Sequence, residues 1–258
     1  MKLTVLCDNV AGKYLQAEHG VSYLIEEDIE LLFDTGSSDL FLRNAEKLDI
    51  DINEIELVVL SHGHYDHGNG LRYLDNKRLV CHPEVFTSRF NKRDLRYLGL
   101  NIGREEAEQK FDIQYSREPL QLSEKIYFLG EIPRKDNSSG STSDFTDSKG
   151  LVDIVPDDSA IAVVTKNGLV VVTGCGHAGI CNTLEHAKNV TGISKIHAIL
   201  GGFHLKCRDS NTMQVIEYLK NENVKRVYPS HCVSFEAMIE FYNAFDISVM
   251  KTGDILYF

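Results

Sequence analysis

Three imidazoles and a carboxylate fall within six positions of this chain, in Ser61-His62-Gly63-His64-Tyr65-Asp66-His67-Gly68. Imidazole nitrogen and carboxylate oxygen are the ligands that zinc, manganese and iron accept at roughly 2.0–2.2 Å. Four such groups rarely share a short loop without a metal, which weighs against a merely His-rich surface loop. The cluster follows directly on an apolar run, Ile55-Glu56-Leu57-Val58-Val59-Leu60. That run reads as a buried strand, and the Gly-containing stretch after it as the loop at its C-terminal end. A strand end is a rigid place from which a short loop can aim several side chains at one point.

One loop cannot complete a metal site, so other strand ends should contribute. Three histidines share that setting. His177 stands in Thr173-Gly174-Cys175-Gly176-His177, His204 in Gly201-Gly202-Phe203-His204, and His231 in Tyr228-Pro229-Ser230-His231. Each follows a predicted strand and lies beside Gly, Ser or Pro, where the backbone can turn a side chain inward. His19, His82, His186 and His197 lack that setting. His186 falls on a predicted helix and His197 inside a strand, so both read as structural.

The elements that must position these groups follow from periodicity. Strands are predicted at Leu3–Cys7, Val21–Ile25, Glu30–Phe33 and Glu56–Leu60, with a helix after Ser37 or Ser38 to about Leu48 and another over Asp66–Leu74. Ala160–Thr165 and Leu169–Thr173 flank Lys166-Asn167-Gly168 as a hairpin. Beyond it, helical patterns at Ile180–Asn189, Thr212–Asn221 and Ser234–Ala244 alternate with apolar strands at Ile196–Leu200, Val224–Tyr228 and Ile247–Met250. This order favours a single α/β domain, two mixed sheets covered by helices. Residues from about 87 to 150 are polar and Arg-rich at first, then rich in Ser, Asp, Thr and Gly from Lys135 to Gly150. They are expected to form an insertion that overhangs the site as a lid, its last part a mobile loop.

At 258 residues the chain can bury roughly 70–75% of its unfolded surface without staples. A formal net charge of -11 argues against a nucleic-acid partner, because phosphate backbones need a positive field. It leaves room for a local basic patch and a small anionic substrate. The six cysteines are scattered, with no paired spacing that suggests a structural zinc or a disulfide framework. Asp8 comes too early for a signal-peptide core, and no apolar run approaches the roughly 20 residues of a membrane span. A reducing cytoplasm is the expected location, with no membrane partner, and a homo-oligomer is allowed.

Taken together, His62-x-His64-x-Asp66-His67, Asp34-Thr35-Gly36 upstream and His177 and His231 downstream resemble the metallo-β-lactamase superfamily, nearly end to end. The phrases Ala17-Glu18-His19-Gly20-Val21-Ser22, Leu60 to Gly68, Thr173 to Ile180 and Gly201-Gly202-Phe203-His204-Leu205 look like one branch of it. That branch is named for the dihydropterin-ribofuranosylaminobenzene-phosphate synthase of methanopterin biosynthesis. The resemblance implies an αββα sandwich with one or two divalent ions at the sheets' edge, zinc first, manganese or iron as alternatives. It implies that His62, His64 and His177 bind one ion, that Asp66, His67 and His231 bind the other, and that Asp34 orients the ligand loop. Cys175 stands where the superfamily usually has a bridging Asp, and is a candidate to bridge, to bind one ion or to line the site. The Gly-His-Thr phrase that usually donates the third His is missing upstream, so His177 would replace it.

Asp66 and His204 are the candidate catalytic residues. His204 lies outside the usual ligand set, as general acid, phosphate contact or extra ligand; Lys206 and Arg208 could help hold an anion. The expected chemistry is attack by metal-activated hydroxide on a phosphoester or pterin-phosphate-like substrate. A flavodiiron-type oxidoreductase would need Glu at the place of His64, and a nuclease is opposed by the charge. A metal-binding sensor or thiol-responsive binding protein using Cys175 is the alternative from a different class.

Overall fold

The two faces of nearly every predicted strand are apolar, as they must be in a sheet covered on both sides. The computed structural model describes residues 1–135 and 144–258. Its elements are β1 (Lys2–Cys7), β2 (Ser22–Glu26), β3 (Glu30–Phe33), α1 (Leu40–Lys47), β4 (Leu57–Val59), α2 (Tyr65–Gly68), β5 (Lys77–Cys81) and β6 (Arg89–Asn91). There follow α3 (Arg104–Lys110), β7 (Phe111–Tyr115), β8 (Leu120–Gln121), β9 (Ile126–Phe128), β10 (Phe145–Asp147), β11 (Ala160–Thr165) and β12 (Gly168–Thr173). The last are α4 (Ile180–Thr191), β13 (Ile196–Gly202), α5 (Ser210–Asn221), β14 (Arg226–Ser230), α6 (Phe235–Ala244) and β15 (Ile255–Tyr257).

One sheet runs β15-β1-β2-β3-β4-β5-β7 and the other β14-β13-β12-β11-β9-β8. Both are mixed: β3-β4-β5-β7 and β12-β13-β14 are parallel, their other pairings antiparallel. The strand period of two sorts the core. Val5, Tyr23, Phe33 and Val59 of the first sheet meet Phe128, Ile161, Val172 and Leu200 of the second. The alternate residues Leu24, Leu32, Val58 and Leu79 pack on Phe41 and Ala45 of α1 and on Ala107 of α3. On the far side, Val171 and Ile199 pack on Leu184 of α4, Val215 of α5 and Phe241 of α6. The result is the expected αββα sandwich.

Several expectations need correction. Only Tyr65–Gly68 of the predicted helix is α-helical, and Asn69–Tyr73 continues as a 3-10 turn. Ile247–Met250 is not a strand; the edge strand is β15. The region 87–150 is not one insertion, since β7 extends the first sheet and Ile126 and Phe128 of β9 are fully buried between the sheets. Charged residues alternating through Phe111–Tyr115 hid an edge strand whose outer face is exposed. What answers to an overhang is the two-stranded β6–β10 ribbon, which sets Phe145 against the imidazoles of His64 and His177, ring centroids 4.8 and 5.4 Å away. Residues 136–143 of the expected mobile loop lie outside the described residues.

Candidate metal centre

Most residues of the site follow a strand. Asp8 and Asn9 follow β1, Asp34 follows β3 and the His62–His67 loop follows β4; Cys175 and His177 follow β12, His204 follows β13 and His231 and Cys232 follow β14. Packing the two sheets face to face therefore brings six strand ends to one edge, the usual place for ligands in parallel sheets.

Two groups of donors form there. His62, His64 and His177 lie with ligand atoms within 4.8 Å of one another, all buried. Asp66 and His231 lie on the other side, His231 Nε2 being 3.3 Å from Asp66 Oδ2 and 3.1 Å from His67 Nε2. Cys175 stands between the groups, its Sγ 3.2 Å from His67 Nε2 and within 4.8 Å of the nearer ligand atom of His62. The expected ligands are thus brought together by the fold.

The hydrogen bonds behind the ring nitrogens decide which nitrogens face inward. The Ser61 hydroxyl donates to Asp34 Oδ2 at 2.7 Å, so His62 Nδ1–H must donate to Ser61 Oγ at 2.9 Å. His67 Nδ1–H donates to Asp34 Oδ2 at 2.7 Å, and His231 Nδ1–H to Asn9 Oδ1 at 3.0 Å. In each case Nε2 is the nitrogen turned toward the centre, free to ligate once it is deprotonated. His64 Nδ1–H then donates to His62 Nε2 at 2.9 Å, and in the absence of metal His67 Nε2–H donates to His231 Nε2 at 3.1 Å. His64 Nε2 and both ring nitrogens of His177 and of His204 are buried without any hydrogen-bond partner. Buried polar atoms are almost always satisfied, so these orphaned nitrogens beside inward-turned rings fit a divalent cation.

The electrostatics agree. Burial holds His62, His64 and His177 well below the usual imidazole range, which keeps them neutral and able to ligate. Burial also opposes charge on His67, but the Asp34 and Asp66 carboxylates outweigh it and lift the group to about 9. The pocket around His67 and Asp66 therefore favours a cation, a proton when no metal is bound.

Three of these residues adopt left-handed backbone: Asp34 (φ 59°), His204 (φ 49°) and His231 (φ 55°). Strain of this kind gathers at functional sites, where surrounding structure enforces it. Close approach also explains Gly63, where an added Cβ would lie 1.8 Å from the Val85 carbonyl oxygen.

Several contributors escaped the sequence reading. His19 contacts Asp66 Oδ2 at 3.0 Å and stacks on His231 with centroids 4.9 Å apart, although it precedes its strand rather than following one. Asn9 pins both rings; it follows β1, but between Asp8 and Val10 it lacks the small or turn-forming neighbour that marked the three strand-end histidines. Fully buried Arg89 pairs with Asp153 at 2.7 Å and with Asp157, whose Oδ2 accepts the Gly63 N–H at 2.8 Å. Neighbouring Asp158 accepts the Ala178 N–H at 2.8 Å, and Ser159 N–H donates to Ser61 O at 3.0 Å. Asp157-Asp158-Ser159 thus braces both ligand loops. Arg89 reads as surface because its partners lie more than 60 residues on.

His204 packs on His177, ring centroids 4.3 Å apart. Lys206 pairs with Asp144 and lies 6.0 Å from the Phe145 ring centroid, at the rim. Arg208 is not brought to the cluster; it is largely exposed and pairs with Glu240 of α6 at 2.7 Å. Removing the acceptor shared by Ser61 and His67, in Asp34→Ala, is expected to weaken zinc affinity about 10–100-fold, measured by competition with a chelator. Unchanged affinity would show that the loop is held without it.

Fold and site define a class: the chain belongs to the metallo-β-lactamase superfamily, whose family model matches residues 15–189. Among its relatives is the 7,8-dihydropterin-6-methyl-4-(β-D-ribofuranosyl)-aminobenzene-5'-phosphate synthase of Methanocaldococcus jannaschii, 30% identical over 100% of this chain and 97% of that protein. An uncharacterised protein of the same organism is 32% identical over 92% of each chain. The crystal structure of Tm1679, a metal-dependent hydrolase of the β-lactamase superfamily, matches with a TM-score of 0.89 and 32% identity, covering 100% of this chain and 99% of that one.

Proposed function

We propose that the chain is a metal-dependent hydrolase or phosphate-displacing enzyme acting on a small anionic phosphoester, pterin-phosphate-like molecules included. The observation that carries this reading is the convergence of inward-facing ring nitrogens on two adjacent points, His64 Nε2 and those of His177 being buried without a hydrogen-bond partner. Similarity to a metal-dependent hydrolase and to a synthase that handles a phosphate ester supports it.

His62, His64 and His177 would hold one divalent ion, and Asp66, His67 and His231 a second, with Cys175 between them. Zinc suits this imidazole and thiolate set, with manganese or iron as alternatives. When bound, such ions lower the pKa of coordinated water and polarise a phosphoryl oxygen. Asp34, Ser61 and Asn9 hold the ligand rings in the required tautomers. Asp66 neutralises charge at the second position and accepts from His19. His204, packed on His177 beside Cys232, is the group to protonate a leaving oxygen or to contact phosphate. Phe145 closes one wall and keeps water from the His64–His177 side, while Lys206 at the rim can meet an anionic substrate.

The test is metal analysis of the purified protein alongside hydrolysis of a chromogenic phosphodiester, with and without a thiol oxidant. Bound divalent metal with metal-dependent turnover is expected. Metal without any turnover would favour the second reading, a thiol-responsive metal-binding protein, which the proximity of Cys175 and Cys232 to the imidazoles supports.

A further inference from the structure

Two thiols reach the edge where the imidazoles converge, and the ligand sets above use one of them. Cys175 is buried, with its Sγ 3.2 Å from His67 Nε2. Cys232, the residue after His231, is half-buried. Its Sγ accepts the His204 N–H at 3.2 Å and lies 3.4 Å from the Cys175 carbonyl oxygen. The ligand atoms of Cys175, His231 and Cys232 all lie within 4.8 Å of one another. The other cysteines are placed elsewhere: Cys7 beside Glu18, Cys81 and Cys181 in the two outer cores, and Cys207 at the surface against Asp209.

The backbone is shaped for this meeting. Consecutive side chains of an extended strand point to opposite faces. The left-handed turn at His231 (φ 55°) breaks that alternation, so that His231 and Cys232 both approach Cys175. Such a conformation is costly and persists where the surroundings enforce it. Gly202 clears the space between the two sulfurs, for an added Cβ there would lie 2.7 Å from Cys232 Sγ and 3.0 Å from Cys175 Cα.

The hydrogen bonds at Cys232 also suit a metal-bound sulfur. The His204 N–H is a donor to Sγ and would persist on ligation, as hydrogen bonds to sulfur do around metal thiolates. The S–H meets only a carbonyl oxygen at 3.4 Å, a weak contact that a metal–sulfur bond would replace. His231 Nδ1 is committed to Asn9 Oδ1 at 3.0 Å, which leaves Nε2 for the ion.

We propose that Cys232 is a metal ligand, forming with Cys175 and His231 a two-sulfur face for the second ion. The inference deepens the metal-centre reading and rests on it. Each thiol gives up its proton as its sulfur binds the ion. A face of two thiolates favours zinc over manganese, because soft sulfur donors select zinc whereas manganese prefers oxygen.

The test is cobalt titration of the reduced, metal-free protein under nitrogen. It is read by the near-ultraviolet charge-transfer absorption that cobalt-bound thiolates give and that imidazoles and carboxylates do not. At saturation the wild type is expected to show a band about twice as intense as that of Cys175→Ser or Cys232→Ser, one share for each soft sulfur ligand. The double variant should show none, and Cys207→Ser should keep the full intensity. Cys232→Ala should match Cys232→Ser, which excludes ligation by the serine oxygen. Visible absorption from cobalt on His62, His64 and His177 should persist in every variant, showing that fold and first position survive. Where a Cys232 variant fails to fold, Cys175→Ser decides: half the band remaining supports a second sulfur ligand, and none remaining overturns it. A band undiminished in both Cys232 variants, or cobalt bound by the wild type with no thiolate band, would overturn the proposal and leave the metal centre standing. Failure of the wild type to bind cobalt at all would overturn the metal-centre reading, and the proposal with it.

Discussion

Arg89→Met is expected to destabilise the protein by about 3–5 kcal/mol, the cost of breaking a buried ion pair by removing one partner. The guanidinium is 0% exposed and meets two carboxylates, Asp153 at 2.7 Å and Asp157 through both terminal nitrogens. Methionine fills similar volume but leaves both carboxylates buried and uncompensated. The loss should reach the site as well, because Asp157 Oδ2 holds the Gly63 N–H between His62 and His64. Urea denaturation of wild type and variant measures the first effect, and zinc content per chain the second. A change below about 1 kcal/mol, the range of exposed pairs, would refute the view that this network braces the ligand loop.

The second large effect belongs to His64→Ala. His64 provides one of three buried imidazoles in the first group, and two remaining nitrogens cannot enclose an ion that prefers three protein ligands and an open position. Loss of about one metal equivalent is expected, with turnover of the chromogenic phosphodiester reduced at least about 10³-fold, the equivalent of several kcal/mol of metal-derived stabilisation. The fold should survive, because the imidazole's Nε2 has no hydrogen-bond partner to lose and its main apolar neighbour is Phe145. Metal analysis and circular dichroism on the same sample separate loss of site from loss of fold. Full activity in this variant would remove the basis for a hydrolytic metal centre.

Legibility in the sequence followed how local each signal is. The ligand loop after β4 and the His177, His204 and His231 turns were readable because a ligating residue, a small neighbour and an apolar strand sit within a few positions. The αββα layers were readable because strands with two apolar faces alternate with amphipathic helices. Arg89 and β7 were not. The polar residues of an edge strand resemble a loop until a parallel neighbour supplies hydrogen bonds, as β5 does for Phe111–Tyr115. A buried Arg resembles a surface one until partners from residues 153 and 157 reach it. The 87–150 segment was therefore read as an attachment when much of it is sheet.

By itself, the sequence determined the donor types, their place at strand ends and the family they resemble, because each depends on neighbours a few residues away. Tertiary structure alone decided how those ends converge. Cys175 meets His67 across 108 positions, and Asn9 turns His231 inward across 222. It recruited His19, gave Arg89 a structural task and paired Arg208 with Glu240 instead of the cluster. The physical reason is that distances between strand ends are set by two sheets packing face to face. A ring nitrogen's direction is set by whichever distant acceptor that packing brings behind it.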